Sequence, residues 1–419
     1  MIMRISTKTI FDHGKSQLSS LQTNMSKIQQ QLATGRKNLA PSDDPIATAR
    51  ALEITQSQSV NTQLVTNRQN ARSSLSQEEV ALASTTSLLQ DIKTLAVNGG
   101  NGSMTNQDRE MIAVELEARM SDLLGVANTA DGAGGYLFSG YKDSVPFAKT
   151  STGAIYQGDQ GERSLQVGST RTLAISDSGS SIFENNITGN GTFKTGADPA
   201  NATRGGSGII SPGSVTNANA ITDHQYEINF SVTPGSPGIP AVTTYTVTDL
   251  TLGQPVPPNP VPPDPIPYKS GETIAFDGLQ FEIHGNPADL DKFTVNPSDK
   301  KSVFETVQDV INALRSDATG EVGQAKLNNL LNSANANLDN AIDNVLSVRA
   351  SVGARLKEMD YLDSAGEDLN IQYASTLSDL QDIDTITAIS NFTQQQISLE
   401  AAQKSYKTLT SLSLFNFIG

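Results

Sequence analysis

The sequence predicts an α+β fold, in which long N- and C-terminal helices form a coiled-coil or bundle trunk and β-rich outer domains are inserted between them. Three observations carry this. All 18 prolines lie between Pro41 and Pro297, and eleven of them crowd between Pro234 and Pro267, so both ends are free of the residue that interrupts helices. Apolar residues at both ends recur at alternating spacings of three and four. In the middle they alternate every second residue, as in half-buried strands.

The first seam is Leu18, Leu21, Met25, Ile28 and Leu32, which share one helix face. Gly35 and Pro41 end that helix. Asp44 then caps a second helix with Pro45 at its first position. It is expected to reach about Val97, with Leu75, Leu82, Leu89 and Ala96 recurring every seven residues and Asn98-Gly99-Gly100 as the stop. A third helix is expected from about Thr105 to Thr129, turning Met111, Ile112, Leu116, Met120, Leu123 and Leu124 toward a partner. The glycines from Gly132 to Gly135 break it.

Short strands are expected around Ile155, Leu165, Val167, Leu173 and Ile175. Tyr226, Ile228, Phe230 and Val232 share one strand face. Ile274 and Phe276, then Asp277-Gly278, then Leu279, Phe281 and Ile283 read as a hairpin with a two-residue turn. Residues 255–267 read as an extended polyproline connection. Ser298 or Asp299 is expected to cap a helix bearing Val303, Phe304, Val307, Val310, Ile311 and Leu314. A longer helix is expected over 323–363, through Leu327, Leu331, Leu338, Ile342, Val345 and Leu356. The tail carries a second heptad, Ala388, Phe392, Gln395, Leu399, Ala402, Tyr406 and Leu409. An isolated helix as short as the first seam is marginal in water. That seam therefore needs the tail heptad, and further copies of the chain, to be stable.

Composition excludes several functions. Without cysteine the 419-residue chain can form no disulfide, zinc-thiolate site or thiol nucleophile. A formal charge of −15 disfavours nucleic-acid binding through the overall field. No apolar run reaches the ~18 residues of a membrane span, and the first residues lack the apolar segment of a cleavable secretory signal. Residues 1–40 carry six basic groups against Asp12 alone, while 298–419 carry an excess of acids. The opposite signs favour the two ends lying side by side.

No catalytic, cofactor or metal constellation emerges. His13, His224 and His284 fall in unlike contexts with no pair at ligand spacing. Asp43-Asp44 reads as a helix cap. The glycines at 132–135 precede no Lys-Ser/Thr and do not make a phosphate cradle. Asp360, Asp363, Glu367 and Asp368 read as a solvated helix end.

Several stretches together resemble the flagellin superfamily. They are Met3-Arg4-Ile5-Ser6-Thr7, Leu32-Ala33-Thr34-Gly35-Arg36-Lys37-Asn38 and Pro41-Ser42-Asp43-Asp44-Pro45. The runs Ala127-Asn128-Thr129-Ala130-Asp131-Gly132 and Tyr136-Leu137-Phe138-Ser139-Gly140 are similar to its junction branch rather than to filament flagellin. So are Gln394-Gln395-Gln396 and the tail Ser411-Leu412-Ser413-Leu414-Phe415-Asn416. The resemblance covers roughly residues 1–180 and 298–419.

It implies a structural, non-enzymatic adaptor joining hook to filament. The domains expected are a terminal assembly core (1–42 with 370–419), a long-helix bundle (43–142 with 298–369), and β-rich outer domains at 143–185 and 186–297. Leu18, Leu21, Met25, Ile28, Leu32, Ala388, Phe392, Leu399, Ala402, Tyr406, Leu409, Leu414 and Phe415 are the expected assembly interface. Implied partners are other copies of the chain in a ring, the first hook-associated protein on the hook side, flagellin on the distal side and an export chaperone. No nucleic acid, membrane or cofactor is expected, and export through the flagellar apparatus without cleavage is implied. Two other readings remain: a filament subunit, and an adhesin carried by the outer β domains.

Overall fold

The computed structural model describes residues 7–132, 134–235, 240–256 and 265–415, with backbone alone for residue 7 and for 409–415. Helix α1 spans Thr7–Thr34, α2 Pro45–Gly99 and α3 Asn106–Ala127. Each boundary has a local cause. Gly35, at φ +68°, takes the left-handed conformation that ends α1. The Ala47 N–H donates to Asp44 Oδ1 at 2.9 Å, so Asp44 caps α2 and Pro45 is its first residue, as expected. Thr105 and Asp108 exchange side-chain and backbone bonds in a capping box at α3. On α3, Leu116, Met120 and Leu123 are buried, but Met111 is exposed. It lies about 140° round the helix from Leu116 and misses the packed face.

The strands follow in chain order. β1 (Phe147–Thr150) pairs with β2 (Gly153–Tyr156), and β3 (Ser164–Gln166) with β4 (Thr172–Ala174). Then come β5 (Asn186–Ile187), β6 (Phe193–Ala197), the short helix α4 (Asn201–Arg204), β7 (Ile209–Ile210), β8 (Ser214–Val215), β9 (Tyr226–Thr233) and β10 (Val242–Asp249). β11 (Gln254–Val256), β12 (Ile266–Pro267), β13 (Thr273–Phe276), β14 (Leu279–His284), β15 (Lys292–Pro297) and β16 (Lys300–Lys301) complete them. One antiparallel sheet runs β11-β10-β9-β15-β6, with β12 also on β10. Another runs β13-β14-β7, with β8 on β14. Phe230, Val247 and Phe293 from the first share one core with Ile274, Phe281 and Ile283 from the second. Tyr226, Ile228 and Phe230 alternate into that core, while Val232 is only half-buried. Asp277 and Gly278 both have positive φ, 44° and 78°, which is the two-residue turn that the β13–β14 hairpin needs. Of the 255–267 stretch, Pro255 lies in β11 and Pro267 in β12, while 257–264 lies outside the described residues.

Helix α5 spans Val303–Leu314, α6 Gly320–Gln381 and α7 Thr385–Phe415. Two expectations are corrected here. Ser302, not Ser298 or Asp299, precedes α5. Lys300 and Lys301 pair with Ile187 and Asn186 as β16, so the backbone there is committed to a ladder and cannot begin a helix. Helix α6 also continues past 363, so the Asp360–Asp368 acids sit inside a helix rather than at its end. No proline follows Pro297 to stop it, and Asp360 receives Arg72 Nη1 at 2.6 Å.

Contacts divide the chain into two compact units. One comprises Met1–Thr66 with Tyr361–Gly419, the other Asn67–Asp360. In the second, Leu75, Leu82, Leu89 and Ala96 of α2 are fully buried. On α6, Leu331, Leu338, Val345, Val352 and Met359 are buried at every seventh position. The ion pairs Arg72–Asp360, Arg349–Glu79 and Lys93–Asp339 set the two helices antiparallel. Phe147 meets Phe183 and Phe304 at centroid distances of 5.3 and 5.1 Å and so anchors β1–β2 on α5. Gly153, at φ +132°, sits where a Cβ would come within 2.8 Å of the Phe304 backbone.

A row of asparagines on α6 fastens the larger β region. Asn329 Nδ2 donates to Gly208 O at 2.9 Å, and the Ile210 N–H donates to Asn329 Oδ1 at 2.9 Å. The Gly189 N–H donates to Asn337 Oδ1 at 2.8 Å. Asn340 Nδ2 donates to Ile187 O and Gly189 O at 2.7 and 2.8 Å. Asn344 Nδ2 donates to Ser181 O at 2.9 Å. These bonds satisfy backbone groups in and beside β5 and β7 and, at Ser181, in the helical turn Ser180–Glu184. Asn340→Ala leaves two carbonyls unpaired and is expected to cost about 1–2 kcal/mol locally. Amide exchange around 186–190 should accelerate while the α2–α6 pair is unchanged; equal protection in the variant would refute this.

Candidate assembly interface

The first unit is built on the two ends of the chain. α1 and α7 pack antiparallel. At one end Phe11 meets Tyr406 at 5.3 Å, and at the other Arg36 bridges Asp382. The bare Gly14 lets the Tyr406 ring close in, since a Cβ there would lie 2.7 Å from Tyr406 Cδ2. The Lys37 N–H donates to Gln381 O at 2.7 Å, and the Ile383 N–H donates to Gly35 O at 3.0 Å. The loop after α1 is held by Asp43, which accepts from Lys27 Nζ at 2.8 Å and from the Leu39 and Ala40 N–H groups at 3.0 and 3.2 Å. The Lys27 ammonium, then those two N–H groups, hold its carboxyl below the ordinary aspartate value. Asp384 caps α7, accepting from the Thr387 hydroxyl at 2.7 Å and from the Ile386 and Thr387 N–H groups at 3.0 and 3.1 Å. The hydroxyl, then the N–H groups, lower its pKa likewise.

Ten of the thirteen residues expected at the interface have described side chains. Leu18, Leu21, Met25, Ile28 and Leu32 on α1 are half-buried. On α7, Ala388 and Leu399 are buried, at 6% and 7% exposure, and Phe392, Ala402 and Tyr406 are half-buried. The side chains of Leu409, Leu414 and Phe415 lie outside the described residues, as do Met3 to Ser6 and Asn416. The two seams face each other, so each covers the other within one chain.

A second set of residues was not singled out in the sequence. Ile386, Ile389 and Ile397 lie on α7 with 83%, 53% and 63% of their surface exposed. The helical period puts Ile386 and Ile397 roughly 140–180° round the helix from Ala388 and Leu399, and Ile389 only about 80–100° from them, on the flank of the seam. Helix α7 therefore carries exposed isoleucines off the face that α1 covers, two of them opposite it and one on its flank. The signal was present as isoleucines at spacings of three and eight. It became legible only once the face covered by α1 was known.

No cluster of three metal-ligating side chains occurs among the described residues. Nor is any described helix long and apolar enough to cross a membrane.

Paired chain ends with long helices and an inserted β region define a flagellin-type subunit, and residues 5–143 match the bacterial flagellin N-terminal helical region. The chain is 27% identical over 415 residues to flagellar hook-associated protein 3 of Salmonella typhimurium, covering 99% of each. It is similar to the crystal structure of flagellar hook-associated protein 3 from Legionella pneumophila, with 32% identity and a TM-score of 0.72 over 78% of this chain and 98% of that one. The FlgL structure from Xanthomonas campestris matches with 30% identity and a TM-score of 0.68, over 78% and 99% of the two chains. The chain belongs to the flagellar hook-associated protein 3 family.

Proposed function

We propose that this chain is a structural adaptor of the bacterial flagellum, joining hook to filament through its terminal helices. The observation that carries the reading is the set of bare isoleucines on α7, because exposed apolar residues off a covered face call for further helices. Its relatives are flagellar hook-associated and junction proteins, which supports a role in assembly with other flagellar components and not in catalysis. In this reading residues 1–42 and 370–419 form the inner core of a ring of identical subunits. Residues 43–142 and 298–369 form the layer around it, and the β regions at 143–185 and 186–297 lie outside. The first hook-associated protein adjoins it on the hook side and flagellin on the distal side. An export chaperone holds the C-terminal helix before passage through the flagellar apparatus, without cleavage. No observation favours a filament subunit or an adhesin.

Complementation tests the reading. In a strain lacking its own junction protein, the full chain should restore filament growth on the hook. A chain lacking 388–419 should not, although its β region should retain its circular dichroism. Incorporation of the truncated chain would overturn the proposal.

A further inference from the structure

Away from the terminal helices, α2 buries a carboxyl that has one oxygen without a partner. Glu78 of α2 is 1% exposed. Its Oε1 accepts the Asp177 N–H at 3.0 Å, and its Oε2 is buried with no partner. Asp177 lies just after β4 and accepts Arg355 Nη2 of α6 on both oxygens, at 2.8 and 2.7 Å. Arg355 also donates to Ala174 O at 3.3 Å. The charged groups facing Glu78 are Asp177 from the loop and Arg355 from α6. On its own helix, Glu79 is taken by Arg349 at 2.7 Å. Two carboxyls thus lie near one guanidinium that bonds only Asp177; Glu78 is sealed from water, and Asp177 and Arg355 are largely buried.

We propose that Glu78, Asp177 and Arg355 form a proton-dependent latch, which fixes the segment after β4 to α2 and α6 and loosens as the medium becomes alkaline. With Glu78 neutral, Arg355 belongs wholly to Asp177 and the three elements are joined without excess charge. With Glu78 ionised, a second buried negative charge stands beside Asp177. Burial first, and the Asp177 charge second, push the Glu78 carboxyl up to about 8. The closed segment therefore keeps a proton that the opened segment releases. Opening becomes easier as pH rises from the ordinary glutamate value toward about 8 and levels off above it.

Hydrogen exchange on the full-length monomer tests this. After correction for intrinsic rates, protection of amides 172–179 should fall about tenfold per pH unit between about pH 5.5 and 7.5 and level above about 8. Glu78→Gln keeps the acceptor for the Asp177 N–H and carries no titratable proton, so its protection should be flat over that window. Asp177→Asn leaves one carboxylate for one guanidinium, and should move the levelling point to lower pH. This second variant decides the matter if Glu78→Gln does not fold. The same slope in wild type and Glu78→Gln, or an unmoved levelling point in Asp177→Asn, would overturn the latch.

Discussion

Replacing Ile386, Ile389 and Ile397 together by serine is expected to abolish incorporation into flagella while leaving the monomer folded. All three are exposed in the isolated chain, so the monomer loses little apolar contact. Covering such a side chain in an assembly contributes roughly 1–2 kcal/mol, so the triple change removes about 3–6 kcal/mol per subunit. That corresponds to an affinity loss of roughly 10²- to 10⁴-fold. The contrast is Leu399→Ala, which opens the seam within one chain and should weaken α7 protection in the monomer as well. Sedimentation of purified flagella and circular dichroism of the monomer separate the two effects. Normal incorporation of the triple variant would mean that the bare face of α7 is not an assembly surface.

Arg109→Met should be the most damaging single change in the larger unit. Arg109 is 2% exposed and has no carboxylate among its hydrogen-bond partners. Its Nε donates to O of Gly99, the last residue of α2, at 3.1 Å, and its Nη2 to Asn101 O just beyond it at 3.2 Å. Nη2 also reaches Gln324 Oε1 of α6 at 2.9 Å, and Nη1 reaches Asn106 Oδ1 at 3.3 Å. The negative end of α2, together with carbonyl and amide oxygens, takes the place of a counter-ion. Methionine fills much of the volume but leaves those acceptors buried and unpaired, at a cost of about 3–4 kcal/mol. Lysine keeps the charge but loses the planar fork, so it should recover only part of this. The urea midpoint followed by circular dichroism measures both, and wild-type stability in Arg109→Met would refute the argument.

The contrast between these two predictions shows what local pattern reveals. The helix starts at Asp44-Pro45 and Thr105, the Asp277-Gly278 hairpin turn, and the heptads through Leu75 to Ala96 and Leu331 to Val345 were legible because each depends on residues a few positions apart. The flagellin resemblance was legible for the same reason, as short runs of sequence.

What escaped the sequence depends on partners far along the chain. Ser302 precedes α5 because Lys300 and Lys301 pair with residues more than a hundred positions earlier. Met111 turns to solvent because its neighbours, not its hydropathy, choose the packed face. The asparagines of α6 bind backbone, which carries no side-chain signature, and Arg109 finds Gln324 across 215 positions. The proline-free, heptad-patterned ends determined by themselves that long helices flank a β region, because backbone sterics and apolar period act locally. Only tertiary structure decided which face of α7 stays bare and which carboxyl is sealed from water, because burial belongs to the neighbours that an element meets.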